Sequence, residues 1–399
     1  MNLKKMPNYK SNLAKLYIIK LAKWFMLYMP IIVNFYKAHD LGMAQLLFLQ
    51  GVYSIAIVVL EIPSGYFADV LGRKHTMIIG AILGFLGFFT YSMTYGFWGF
   101  LIAEIILGIG QSFISGSDSA MLYDTLQEVK KEKEYTKYEG RVISIGNAAE
   151  AVAALIGSAL TVISIRMPYY FQTGIAFIAI PAALTLYEPI RHNVLNKASF
   201  KDILKIVKHS LFEHKLLKWN IIYSSIIGAS TLTMAYFAQA YFIKTGIKSD
   251  DMGYLWAPLN LSVALSALIA YKLDRRLGQI RLSLIIILFI SLGYILCSQF
   301  ISFWAISFIF IFYLIRGIAT PVLKDYINRH CESNVRATVL SVRNFIIRII
   351  FAVIAPLLGW FNDKLSLSTA LLIAGISFLI MSLLSIGMLH IYLKKESGK

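Results

Sequence analysis

Charge is scarce in this chain, and cysteine scarcer. Only 15% of the 399 residues are Asp, Glu, Lys or Arg, against 58% that are hydrophobic. The two cysteines, Cys297 in an apolar run and Cys331 in a predicted loop, imply neither a disulfide framework nor a metal site. No G-x-x-x-x-G-K-[ST] occurs, which argues against ATP as an energy source. H-E-x-x-H and G-x-S-x-G are missing too. The seven histidines (His39, His75, His192, His209, His214, His330 and His390) lie almost all in loops or at segment ends. No cluster of His with carboxylates falls inside a hydrophobic segment, so the sequence does not read as an enzyme, and no cofactor or metal is expected. A cleavable leader is not expected either. The basic stretch Met1–Leu13 precedes an apolar run that is too long and lacks a small-residue cleavage site.

What fills the chain instead is hydrophobic sequence, with a mean hydropathy of +0.68. A water-soluble protein of this length could not hide so much apolar surface in one core, so its solvent is lipid. Twelve segments are long enough to span a bilayer: 13–36, 43–67, 74–95, 98–122, 142–164, 169–187, 217–242, 252–272, 282–300, 303–325, 337–361 and 367–392. Runs of this length are too long for barrel strands, which predicts an all-α membrane protein of twelve helices. The net charge of +17 could suggest nucleic acid as a partner. That is rejected because the loops predicted to face outward hold only Lys37, Arg166, Lys244, Lys248 and Lys364. Most of the other basic residues gather on the opposite side. The asymmetry predicts an inner-membrane protein with both termini cytoplasmic.

One stretch organises the rest. Gly65-Tyr66-Phe67-Ala68-Asp69-Val70-Leu71-Gly72-Arg73-Lys74 lies between the second and third segments. A polar turn between two apolar segments belongs at a membrane surface, because its backbone groups would find no partners in hydrocarbon. Gly65 and Gly72 let the chain reverse, Asp69 is placed to meet a helix N-terminus or a cation, and Arg73 and Lys74 mark the cytoplasmic face. After the eighth segment, Tyr271-Lys272-Leu273-Asp274-Arg275-Arg276-Leu277-Gly278 reads as a degraded second copy, with one extra residue between Asp274 and Gly278. Arg141 and Arg336 likewise open the fifth and eleventh segments. Repetition of this kind marks secondary transporters, whose substrate sites lie where the repeats meet. The predicted organisation is a six-helix bundle over 1–187, a cytoplasmic linker over 188–216 and a second bundle over 217–399. In the linker, Phe200, Ile203, Leu204, Val207 and Leu211 recur at helical spacing, as in a helix lying on the membrane surface. Such a helix serves as a simple connector or as a docking element, and the connector is favoured.

The pattern G-x-x-x-D-x-x-G-R-K, in this position and with its weaker repeat, resembles the signature loop of the major facilitator superfamily. The resemblance covers the whole chain. It implies two six-helix bundles rocking about a central site, a small-molecule substrate and a monomer. It also implies that Asp69 sits against the segment near Thr338, with Arg73 as its partner. Three departures stand out. Val70 occupies a position where the family often has a basic residue. Glu104 stands four before Gly108, where many members carry an arginine linked to proton coupling. The fifth segment reads Ala148-Ala149-Glu150-Ala151-Val152-Ala153-Ala154, without the Gly-Pro pattern of antiporter drug exporters.

Ionisable residues within spans are costly and mark function by default. The first half carries Glu61, Glu104, Asp118 and Glu150, and the second Arg316, Lys324, Arg343 and Arg348, with Lys20 and Lys23 as exceptions. Glu104, Gly108, Gln111, Ser115 and Asp118 are spaced to form one polar stripe on the fourth segment. Burial favours a neutral acid, so Glu104 and Glu150 are the candidates for proton coupling. Lys23, Gln111, Asn147, Arg316, Asn344 and Arg348 are candidates to line a substrate cavity, the permanently charged arginines suiting an anionic group. Glu61, Gly65, Asp69, Gly72, Arg73, Lys74, Asp118 and Asp274 are the candidates for a cytoplasmic gate. Plain pairing of acids with bases remains open beside these roles. The leading expectation is a proton-coupled secondary transporter of a small organic solute, with export the favoured direction. Uptake or exchange of an anionic or zwitterionic metabolite comes second, and a non-transporting membrane receptor a distant third.

Overall fold

The structure, a computed structural model, describes residues 9–115, 117–131, 134–189, 205–331 and 335–396. Among the described residues every regular element is helical. Eleven helices, counting those interrupted within one crossing, are long and apolar enough to traverse a membrane. The fifth predicted segment is not among them. Its helix carries Arg141 and Glu150, and the apolar part shortens to Ala148–Leu160.

The chain divides into two compact units. The first comprises Met1–Leu41, Val52–Leu195 and Ser249–Ala257. It is built on α1 (Tyr9–Trp24), α2 (Ile32–Lys37), most of α3 (Met43–Val70), α4 (Arg73–Met93), α5 (Phe97–Ile114), α6 (Ser117–Glu128), α7 (Tyr135–Leu160) and α8 (Met167–Leu184). Leu13, Leu16 and Ile19 of α1, Met77 of α4, Met121 and Leu122 of α6 and Ala183 of α8 close one apolar core. Small residues set the closest approach. A Cβ on Gly110 of α5 would lie 3.1 Å from the Gly80 carbonyl of α4. With no hydrophobic drive between helices in lipid, such backbone proximity is a main source of cohesion.

The second unit comprises Gly42–Gly51, Asn196–Lys248 and Pro258–Lys399. Its helices are α9 (Lys215–Lys244), the greater part of α10 (Met252–Leu277), α11 (Gln279–Gln299), α12 (Ser307–Asn328), α13 (Arg336–Lys364) and α14 (Leu367–Glu396). α9 is the central rod, apolar all round and buried on most faces. Phenols tie it and α11 together: Tyr223 Oη donates to the Ser283 carbonyl at 2.7 Å, and Tyr294 Oη to the Ser230 carbonyl at 2.8 Å.

Three further predicted elements differ. The first segment is interrupted, because Pro30 has no N–H to give and its ring crowds the preceding turn. α1 stops at Trp24 and the chain resumes helix at Ile32. The freed Leu27 N–H donates to the buried Gln172 side chain of α8 at 2.9 Å, which makes the break tolerable at membrane depth. The fourth segment is also interrupted: Ser115 turns extended and α6 starts at Ser117, so Asp118 leaves the stripe that begins at Glu104. Finally, the signature stretch is not one long turn. α3 runs helically through Gly65 and Asp69 to Val70, leaving Leu71 and Gly72 as the whole reversal. Gly72 takes φ +103° there, which side chains avoid. The predicted surface helix over 200–211 falls largely outside the described residues. A single π-helical turn, His209–Glu213, leads into α9.

Candidate functional site

Among the described acids of the first unit, Glu104 is the most deeply placed, 4% exposed. α5 brings it between Tyr36 of α2 and Tyr91 of α4. Tyr91 Oη donates to Glu104 Oε1 at 2.6 Å, and Tyr36 Oη lies 3.4 Å from the same oxygen and bonds Tyr91 Oη. Aromatic rings wall the cluster: Tyr91 stacks on Phe100 at 5.2 Å and on Tyr169 at 5.0 Å between centroids. A carboxylate here has phenol donors for its charge, and a carboxylic acid has phenol oxygens to donate to, so the site accommodates either state.

One end of this cluster is closed by Arg166. Its Nη2 donates to the carbonyls of Tyr91, Ser92 and Thr94 at 3.1, 2.8 and 2.7 Å, which satisfies the C-terminal carbonyls of α4. The guanidinium stacks 3.8 Å from the Tyr95 ring centroid. Nη1 meets His39 Nε2 at 2.6 Å, and His39 Nδ1 meets the Phe35 carbonyl at 2.7 Å. Because Arg166 only donates, His39 Nε2 must accept, which assigns the ring proton to Nδ1. In the sequence Arg166 reads as one loop charge among others, with no role. Its position just before Met167-Pro168 carries no signal of the three carbonyls it reaches.

Two further ion pairs lie in the first unit. Lys20 Nζ lies 3.6 Å from Asp118 Oδ2, with both side chains at most 10% exposed. Arg73 pairs with Asp124 of α6 and donates to the Ala120 carbonyl; the side chain of Asp69, its expected partner, lies outside the described residues. The α4 N-terminus is held by Glu188, whose oxygens accept from the N–H groups of Arg73 and Lys74 at 3.0 and 2.6 Å. Only its carboxylate in the predicted linker hinted at that. The side chains of Asp69 and Asn147, and Gly65 beyond its helical backbone, lie outside the described residues. Lys23 closes α1, Glu61 and Glu150 are half-buried on α3 and α7, and Gln111 is half-buried on α5. Gly108 is not on a wet face: a Cβ there would lie 2.9 Å from the Tyr53 carbonyl. The structure thus replaces the predicted stripe by an acid–phenol cluster and a separate ion pair.

In the second unit, Asp274 accepts from Tyr326 Oη and, at 2.8 Å, from Arg329 Nη2, and Arg329 also reaches Asp325 at 2.6 Å. Burial works against the charge of Arg329, but these two carboxylates outweigh it and its pKa stands above the ordinary arginine value. A cavity of about 590 Å³ adjoins them, lined by Tyr271, Gln279 and Pro321 among others. Arg316 is exposed and Arg348 half-buried. Arg343, in the sequence only one of four intramembrane bases, is 7% exposed. It donates through Nε to Ser224 Oγ at 2.5 Å and through Nη1 to Asn344 Oδ1 at 3.2 Å.

Two bundles of membrane-length helices, with helix breaks and buried ionisable groups, define a polytopic transport protein. The family model of the Major Facilitator Superfamily matches residues 17–354. The chain belongs to that superfamily; it is a multi-pass membrane transporter rather than an enzyme. It is 28% identical, over 82% of its length and 87% of the relative's, to an uncharacterized MFS-type transporter of Methanocaldococcus jannaschii. The quinolone resistance protein NorA of Staphylococcus aureus is 23% identical, and the match covers 41% of each chain. In three dimensions the crystal structure of the nucleoside transporter NupG superposes with a TM-score of 0.77 at 15% identity. That superposition covers 96% of this chain and 99% of the other, and it shows the fold alone.

Proposed function

We propose that this transporter moves a small organic solute across the cytoplasmic membrane by alternating access, coupled to protons. The supporting observation is Glu104, buried between Tyr36 and Tyr91, where either protonation state finds hydrogen-bond partners. Glu150 is the second proton candidate. Export is the slightly favoured direction, since relatives named for multidrug and quinolone resistance match over somewhat less than half the chain. In this reading the chain works as a monomer with both termini cytoplasmic, and the bundles run over 1–187 and 217–399 about a linker at 188–216. The gate comprises the ends of α3 and α4 with Asp118 and Asp274, and Lys23, Gln111, Asn147, Arg316, Asn344 and Arg348 belong to the cavity. Uptake of an anionic metabolite is the second reading, favoured by the basic second unit.

The test uses purified protein in sealed vesicles with a pH-sensitive dye inside. Solutes are screened for those that move protons, and Glu104→Gln is then compared. Loss of coupled proton movement by roughly two orders of magnitude, with solute exchange retained, is expected if Glu104 carries the proton. Unchanged coupling in Glu104→Gln with loss in Glu150→Gln would transfer the role to Glu150.

A further inference from the structure

The first unit neutralises its described buried cations with carboxylates or helix-end carbonyls, and Arg343 has neither. Buried to more than nine-tenths, it bonds only the neutral oxygens of Ser224 and Asn344 among the described residues. Those two hold Nε and Nη1, so the guanidinium plane is fixed, while Nη2 donates to no described residue. The Asn344 amide nitrogen is a further donor on the same helix. A second cation, Lys324, stands on α12, which packs against α13. The acids of that sector are engaged elsewhere: Asp325 binds Arg329, and Asp274 binds Arg329 and Tyr326. Two like charges with no described counter-charge, one nearly buried, are costly to hold in a membrane protein. An immobilised fork with a free N–H edge is the form in which arginine takes a carboxylate or phosphate.

We propose that Arg343, Lys324 and Asn344, with Ser224 as positioning residue, form a seat for the anionic group, carboxylate or phosphate, of the transported solute. The proposal deepens the transport reading above and rests on it for the word solute. The seat itself lies within the second unit. It differs from the arginines that sequence alone favoured, since Arg316 and Arg348 hold no such fixed fork.

The test is thermal unfolding of the full chain in lipid nanodiscs at constant ionic strength, with benzoate, inorganic phosphate and neutral benzamide as probes. Benzoate or phosphate should raise the melting temperature and benzamide should not. Arg343→Gln should abolish the shift, and Lys324→Gln should raise the half-saturating concentration roughly tenfold. Lys364→Gln, at the far end of α13, should leave it unchanged. Because Arg343 has no described counter-charge, Arg343→Gln should itself unfold at a higher temperature than the parent. A merely structural arginine would give the opposite sign. Equal stabilisation by benzamide, a shift that survives Arg343→Gln, or a lowered melting temperature for that variant overturns the seat. Proton movement driven by a neutral solute, with no response to either anion, refutes the seat and leaves the coupling standing. Anion stabilisation in vesicles that move no protons does the reverse.

Discussion

The two units treat buried charge in opposite ways. In the first, Lys20 lies against Asp118, Arg73 against Asp124, and Arg166 against three carbonyls at the end of α4. In the second, the acids Asp274 and Asp325 are engaged by Arg329 near a helix end, and Arg343 keeps its charge against neutral oxygens. Charge that is internally matched holds helices together, whereas unmatched charge is a standing demand for a partner. A transporter needs both groups that keep its shape and groups that answer to a ligand. The same contrast appears at the repeated turn. Gly72 and Gly278 both take positive φ and both open a helix, α4 and α11. Glu188 caps the first, and no described side chain outside α11 is bonded to the N–H groups that open the second.

The sharpest way to break the comparison is to remove one member of a matched pair. Lys20→Met leaves Asp118 buried without its cation, and should destabilise the protein by about 3–5 kcal/mol. Denaturant unfolding in mixed micelles, read by tryptophan fluorescence, would measure it. The double variant Lys20→Met/Asp118→Leu should recover most of the loss, because no orphan charge remains. Equal losses in the single and double variants would mean that the pair contributes by packing alone. The contrast with Arg343→Gln, expected to stabilise, makes the two units distinguishable by sign.

A smaller effect separates the two turns. Alanine at either glycine would force a backbone region that side chains rarely occupy, at a cost of about 1–3 kcal/mol. At Gly72 the added Cβ also lies 3.3 Å from the Glu188 carboxylate, whereas at Gly278 it meets nothing within 4 Å. Gly72→Ala should therefore cost more than Gly278→Ala in the same unfolding measurement, and equal costs would show that Glu188 yields freely.

Sequence alone reveals the helical membrane architecture, because runs of twenty apolar residues admit little else. It reveals the repeat and the family through the stretch ending in Gly72-Arg73-Lys74. What it misses has definite causes. Pro30 is a breaker whose consequence depends on Gln172, 145 residues from Leu27, to receive the freed N–H. The stripe from Glu104 to Asp118 assumes an unbroken helix, and Ser115 ends it. The partners Tyr36 and Tyr91 are ordinary aromatic residues in apolar runs, and nothing in their spacing distinguishes a proton site from packing. Arg343 is visible as a charge, but that it meets no acid among the described residues depends on every helix around it. Pairings between distant segments are what local patterns cannot encode.

The smallest expected effect belongs to Glu188, and it resolves how the first turn is held. Its two oxygens accept from the N–H groups of Arg73 and Lys74, which no residue within α4 can satisfy. Glu188→Ala removes both acceptors and should cost about 0.5–2 kcal/mol, the range for lost helix caps. Glu188→Gln keeps one acceptor oxygen and loses the charge, so it isolates the attraction between a carboxylate and the positive end of the helix, about 0.3–1 kcal/mol. If the glutamine variant falls as far as the alanine variant, the charge is what stabilises the turn. If it matches the parent, hydrogen bonding alone suffices. At α11, where no described side chain caps the helix, a carboxylate introduced next to the turn as Gln279→Glu should then add stability only in the first case. It also gives up the bond from Gln279 Nε2 to Asn220, so the net gain stays below the loss seen at Glu188.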